Sequence, residues 1–188
     1  LSSLDERASW PSELKFLLER HPRATWQAER SPSAGFWLEI HGHFRRDCVG
    51  LELAAADYRD ERTSAAQLAV IAAPRLHGLI AGLHGHHQIE DFHYFPAFRR
   101  TEPKLARGFD VLESDHAELQ RAVDAALAAL KELRAGAERT QERNTPAVHL
   151  LAAEQYIDAT TRLCRSLCRH LNDEEDLVVP LLLESGDH

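Results

Sequence analysis

The sequence predicts an all-α fold, an antiparallel four-helix bundle with a short helical extension at its N-terminus. Three observations carry that prediction. Ala, Leu, Glu and Arg dominate, all strong helix formers, while only 9 Gly and 8 Pro punctuate 188 residues. No segment sustains the apolar and polar alternation of a strand, whereas apolar residues recur at steps of three and four along four long stretches. Four long stretches joined by short connections suit antiparallel neighbours.

Residues 1–33 carry Pro11, Pro22 and Pro32, which interrupt any long helix, so a short helix near Glu13 to Arg20 plus loop is expected there as an extension. The bundle proper then occupies 34–188. Its first helix runs from about Gly35 to Tyr58, with Trp37, His41, Phe44, Cys48, Leu51 and Ala55 on one face, and the polar run "DYRDERTS" ends it. The segment from Ser64 to Ala73 leads into Pro74, which suits a first turn, and a second helix continues to about Arg99. A third follows Pro103 and reaches about Ala135, where Gly136 can cap it. After the loop "GAERTQERNTP" a fourth spans about Ala147 to Leu171, continuing or restarting through "DEEDLVVPLLLE".

A length of 188 residues with 44% hydrophobic composition suits one domain with a substantial core. The formal charge of -8 argues against nucleic acid or an anionic membrane as a partner, since both favour a basic face. No apolar run approaches the ~20 residues that span a bilayer, and "LSSLDERASWPSE" lacks the segments of a signal peptide. Three cysteines, an odd number, make no disulfide framework, so a reducing, cytoplasmic setting is expected with each Cys as a small buried side chain. The chain contains no Met, so its true N-terminus is expected upstream of Leu1.

The chemistry concentrates in "HGHHQIEDFHYFPAF", His84 to Phe98, and in an echo of it near the C-terminus. His86, Glu90 and Pro96 are spaced as His170, Glu174 and Pro180 are. Four residues are about one helical turn, so each His stacks over its Glu on a face shared with Leu79 and Leu83, or with Leu163, Leu167, Leu177 and Leu181. Burying such a pair without partners costs several kcal/mol. A metal would compensate. His41 between Trp37 and Phe44, and His116 between Leu112 and Leu119, bring a further inward His from each remaining helix. Either one alone would be an ordinary half-buried histidine, and the acidic run Asp173 to Asp176 alone a solvated helix end. Jointly they describe a metal site. Nitrogen and carboxylate ligands without thiolate suit iron or manganese better than a structural zinc, and two central carboxylates can each bridge two ions, so a dinuclear site, iron before manganese, is expected.

His93, seven residues after His86, stays on the inward face and is a candidate ligand or a hydrogen-bonded core His. His87 and Asp91 form a second pair rotated by about 100°, read as supporting or surface groups. Asp115, Asp91 and Glu113 are candidates to orient ligating histidines.

The stretches "HGHFRRD", "HHQIEDFHYFP", "LESDHAEL" and "HLNDEEDLVVPLLL" resemble bacterial members of the hemerythrin-like, or HHE cation-binding, family, from the first long helix to about Leu183. The resemblance implies a four-helix bundle around two iron ions, a non-haem centre bridged by carboxylates and by an oxo or hydroxo group, able to bind oxygen species. Carried over position by position, His41, His86, Glu90, His116, His170 and Glu174 would be ligands. The chain departs from the oxygen carriers at Gln120, where they have a second His one turn after the first. His93 is expected to fill that gap. The last carboxylate of the family can also lie five residues after its His, which would select Glu175; the spacing to Pro180 favours Glu174.

The function expected is a di-iron protein that binds, senses or slowly turns over a small oxidant: oxygen, peroxide or nitric oxide. Protons from His87, Asp91 and His93 would favour peroxide consumption over reversible carriage, so a peroxidase-, catalase- or nitric-oxide-type activity is left open. A ferritin-like iron oxidase or storage protein is the alternative, since Glu90 with His93 and Glu113 with His116 satisfy Glu-x-x-His. A metal- or redox-responsive binding module is a third reading, with Trp10, Phe16 and Trp26 of the extension covering the bundle or meeting a neighbour. A monomer or homodimer is expected, with a diatomic or peroxide ligand.

Overall fold

The structure, a computed structural model, describes residues 3–29, 31–143 and 146–186, with side chains given outside 139–149. Among the described residues there is helix and no strand. Two short helices, α1 (Phe16–Arg20) and α2 (Trp26–Glu29), precede the long helix α3 (Pro32–Arg59). Helix α4 (Ala65–Ile89) continues through a π-helical turn (Glu90–Tyr94) into α5 (Phe95–Thr101), and α6 (Ala106–Arg143) and α7 (Pro146–Ser185) complete the chain. The all-α expectation of four long helices holds.

The helix ends explain where the expected boundaries shift. Ser31 Oγ accepts from the Ala34 amide and Pro32 takes the first helical position, so α3 begins earlier than Gly35. At its other end Glu61 adopts a left-handed φ of 58° while the Arg62 and Glu61 amides reach back to the Asp57 and Tyr58 carbonyls. Ser64 and Gln67 cap α4 reciprocally, each side chain accepting from the other's amide. That cap starts the helix nine residues before Pro74, which therefore lies inside it rather than in a first turn. Proline there frees the Val70 carbonyl, and water can reach it because Val70 is 74% exposed. Gly136 does not end α6: it is buried in mid-helix and lacks the positive φ that a capping glycine takes. The loop expected from Gly136 is helical as far as Arg143, and residues 144 and 145 lie outside the described ones. Helix α7 passes through Pro180 without restarting.

By length and composition the helix spanning Ala65–Thr101 is apolar enough to cross a membrane. This corrects the reading that no segment is. Its Leu68, Ala72, Leu76, Leu79 and Leu83 are buried against protein.

The chain divides into two compact units, Leu1–His43 with Gly85–Glu118 and Ser166–His188, and Phe44–His84 with Leu119–Arg165. Each unit takes one segment from every long helix, and successive segments run in opposite directions because the chain leaves a unit on one helix and re-enters it on the next. The second unit is a leucine- and alanine-rich core including Phe44, Leu51, Leu76, Val123, Leu130 and Ile157. The first unit is aromatic: Trp37, Phe95, Phe98 and Phe109 pack with Leu105, Leu112 and Leu177. The residues before α3 belong to that core, for Trp10, Leu14 and Leu17 are each 2% exposed within it.

One polar contact ties this N-terminal segment in place. Arg7, 1% exposed, holds Asp115 through both terminal nitrogens and Asp173 through Nε at 2.8 Å. Trp10 Nε1 donates to the Asp173 carbonyl at 2.7 Å.

Pro74→Ala restores an amide in mid-helix and should raise stability by about 1–3 kcal/mol in urea unfolding; no gain would mean that the helix does not run through this position. Arg7→Met strands two carboxylates and should lower the stability of the metal-free protein by about 3–5 kcal/mol, whereas a change within about 0.5 kcal/mol would make the contact a solvated surface pair.

Candidate metal centre

Four helices of the first unit aim polar side chains at one point. Helix α3 contributes Trp37 and His41 one turn apart, and the last turn of α4 contributes His86 and His87. The π turn contributes Glu90 and Asp91, α6 contributes Asp115 and His116, and α7 contributes His170, Glu174 and Glu175. His41, Glu90, His170 and Glu174 are fully buried, and His116 is nearly so.

The ligand atoms fall into two groups. Those of His41, His86, Glu90 and Glu174 lie within 4.8 Å of one another, as do those of His87, His116 and His170. The two glutamates face both groups. Glu90 Oε1 is 2.9 Å from His86 Nε2 while its Oε2 is 3.6 Å from His116 Nε2. Glu174 Oε1 is 3.4 Å from His41 Nε2 while its Oε2 is 3.3 Å from His170 Nε2. Each carboxylate thus shows one oxygen to each set of imidazoles.

A second layer fixes which nitrogen of each ring points inward. His41 Nδ1 donates to Glu175 Oε1 at 3.0 Å and His116 Nδ1 to Asp91 Oδ1 at 2.9 Å, and His170 Nδ1 lies 3.6 Å from Asp115 Oδ2. A carboxylate cannot donate, so a ring proton sits on Nδ1 in the two bonded pairs and Nε2 is the nitrogen turned toward the cluster. Arginines balance this layer: Arg23 holds Glu175 at 3.1 Å and Arg7 holds Asp115. Trp37 Nε1 donates to Glu174 Oε1 at 2.8 Å.

Without a cation the centre is electrostatically unbalanced. Burial, and then the charge of Glu174, push the Glu90 carboxyl well above the usual range. Burial acts the same way on Glu174, but His41 and His170 outweigh it and hold that carboxyl well below. His170 is raised to about 9, because Asp115 and Glu174 overcome the opposing effect of burial, and His41 is raised in the same way by Glu174 and Glu175. Burial lowers His86 to about 3 and lowers His87 further in the same direction, so both rings are neutral with a lone pair available.

Several buried atoms have no hydrogen-bond partner: Nε2 of His41, His87, His116 and His170, both oxygens of Glu90, and Oε2 of Glu174. Buried polar atoms are rarely left so. They converge on the glutamates, and a metal cation that prefers nitrogen and oxygen ligands fits the donor set.

The structure brings together six of the seven candidate residues, His41, His86, Glu90, His116, His170 and Glu174. His93 is not among them: it is exposed, and the expectation that it fills the gap at Gln120 is corrected. The π turn inserts one extra residue after Glu90, so the inward face resumes at Phe95, 0% exposed, instead of at His93 and Tyr94, three and four residues on. His87 occupies the cluster instead. Adjacent residues on a helix lie about 100° apart, so His86 joins the group of His41 while His87 joins that of His116 and His170, and the double histidine is the signal for it. Gln120 is exposed and bonds Asp124. Of the candidate orienting groups, Asp115 and Asp91 meet His170 and His116, while Glu113 is exposed and pairs with Arg99. Arg7, Arg23 and Trp37 were not anticipated in these roles; a lone Arg in a polar extension carries no pattern that marks it as buried.

No curated protein and no solved structure is detectably similar to the chain. Residues 34–153 match the family described as hemerythrin HHE cation binding domain. That stretch contains His41, His86, His87, Glu90 and His116, and the second His-x-x-x-Glu pair follows it on the same centre. The chain belongs to the hemerythrin HHE cation-binding domain family.

Proposed function

We propose that the protein is a non-haem di-iron protein that reacts with a small oxidant, peroxide before oxygen or nitric oxide. The observation that carries this reading is the pair of glutamates, each turned toward both sets of imidazoles. His41 and His86 would hold one ion, and His87, His116 and His170 the other, with Glu90 and Glu174 shared. Imidazole and carboxylate donors without thiolate favour iron over a structural zinc. The side with two imidazoles has fewer protein donors, which leaves room for a small ligand. Bound iron would supply the change in oxidation state that reduction of an oxidant requires.

The surrounding residues restrict what can react. Phe95 packs on His116 at 5.8 Å between ring centroids, and the aromatic core of the unit excludes bulk water and large substrates. With His93 exposed and His87 turning Nε2 into the cluster, the His116–Asp91 pair, whose half-buried carboxylate accepts the ring proton, is left as the route by which a proton could pass between the centre and solvent. The ferritin-like alternative loses its support, since His93 and Glu113 of its two Glu-x-x-His motifs are both exposed. For the N-terminal segment, burial of Trp10 and Leu14 in the same core as Trp37 favours covering the centre over binding a neighbour. Three free thiols fit a reducing, cytoplasmic setting.

Metal analysis after anaerobic loading tests the ligand set. About two iron ions per chain are expected, with both lost in Glu90→Ala, at least one lost in His87→Ala, and none lost in His93→Ala. Full retention by Glu90→Ala would refute the bridge. Loading should also release protons, because Glu90, His41 and His170 are all raised in the metal-free state and must give up their protons to the metal. Apparent affinity therefore falls as pH falls, and calorimetric titration in two buffers of different ionisation enthalpy would count the protons.

A further inference from the structure

Trp37 lies between the cluster and the surface. Its indole Nε1 bonds a shared carboxylate, Glu174, at 2.8 Å, and its ring lies 6.0 Å from His41 and 6.3 Å from His86 between centroids. On its other side Tyr94 meets it edge-on at 5.0 Å. Trp37 is 6% exposed and Tyr94 39%, so the pair runs from the buried centre to solvent in two residues. Phe98 packs on both rings, 5.9 Å from Trp37 and 5.8 Å from Tyr94. The π turn makes the arrangement: Tyr94 is its last residue, displaced from the inward face that Phe95 takes.

Packing alone requires neither a redox-active indole against a metal-bridging carboxylate nor a tyrosine as its neighbour, since two phenylalanines would fill the space. Both side chains lose an electron more readily than any aliphatic or phenyl group. The negative charge of Glu174 beside Nε1 would stabilise an indole that has lost one.

We propose that Trp37 and Tyr94 form an electron relay, and that exposed Tyr94 is the site where small one-electron donors of the phenol or ascorbate class are oxidised at the expense of peroxide. The proposal rests on the oxidant-reducing reading above. One electron leaves the Trp37 indole toward the oxidised centre while its Nε1 proton stays shared with Glu174. One electron from the Tyr94 phenol refills the indole, and the phenol proton passes to solvent. A donor molecule then gives one electron to the tyrosyl radical, which takes a proton back from water, and the donor releases a proton as it becomes a radical. Two such passages supply the two electrons, and solvent the two protons, that convert one hydrogen peroxide to two waters.

The test uses the full-length iron-loaded chain mixed with hydrogen peroxide, freeze-quenched, and read by electron paramagnetic resonance. An organic radical is expected, with a line shape that changes when ring-deuterated tyrosine is incorporated. Tyr94→Phe keeps the ring and removes the phenol, so fold and iron content should match the wild type. The tyrosyl signal should vanish, and peroxide-dependent oxidation of ascorbate should slow by about tenfold or more. Trp37→Phe should abolish the tyrosyl signal with Tyr94 still present; if that variant loses iron, the Tyr94→Phe comparison decides alone. Wild-type peroxide consumption with no protein radical and unchanged ascorbate oxidation in Tyr94→Phe would overturn the relay and leave the di-iron reading standing. Failure of the iron-loaded wild type to consume peroxide would overturn both.

Discussion

Burial of two carboxylates in one cluster is the constraint on which the first unit depends. Glu90 and Glu174 are both fully enclosed, and like charges so close cannot both be ionised in a protein interior without a compensating cation. The surroundings are arranged in alternating layers around that requirement. Imidazoles present lone pairs to the centre, carboxylates of Glu175, Asp91 and Asp115 orient three of those imidazoles, and Arg23 and Arg7 balance Glu175 and Asp115 in turn. Each layer would be unfavourable without the next. A buried Asp115 without Arg7 would be an uncompensated charge, and a His170 without Asp115 would lose the group that orients its ring.

The π turn serves the same constraint from the backbone. Four α-helical residues after Glu90 the inward face would fall on Tyr94, next to the centre. One inserted residue returns the helix to the core at Phe95 and Phe98, which lie with Phe109 in the aromatic cluster. The same insertion turns His93 outward and sets Tyr94 beside Trp37. A local departure from α-helical geometry thus decides which titratable groups see the metal site, and such turns recur where helices carry functional residues.

What the sequence made legible follows from period. The face of α3 from Trp37 to Ala55 and that of α6 from Leu112 to Val123 are buried as the steps of three and four predict, and both His-x-x-x-Glu pairs point inward. Periodicity fails where the helix changes pitch, which is why it points His93 inward, and the matching distances from Glu90 to Pro96 and Glu174 to Pro180 do not describe matching backbones: one contains a π turn, the other is continuous α-helix. The start of α4 was legible in Ser64 and Gln67, but Pro74 outweighed it in the reading because proline signals a break more strongly than serine signals a start. Arg7 could not be read at all. Its burial depends on where Asp115 and Asp173 meet, which local sequence does not encode.

The acidic run from Asp173 to Asp176 shows how far context can reverse a compositional reading. Four consecutive residues on a helix point in four directions about 100° apart, so such a run is ordinarily a solvated helix end. Here every direction is occupied. Asp173 meets Arg7, Glu174 meets Trp37, His41 and His170, Glu175 meets His41 and Arg23, and Asp176 meets Arg23 at 2.7 Å. The partners come from α3, from α7 itself and from the segment before α3, the last outside the stretch that matches the family. A helix can carry four acids in succession within a core only if it is surrounded on all sides by complementary groups. The N-terminal residues are therefore part of what permits the second His-x-x-x-Glu pair to be buried, and the metal site extends in its electrostatics well beyond the side chains that would touch a metal.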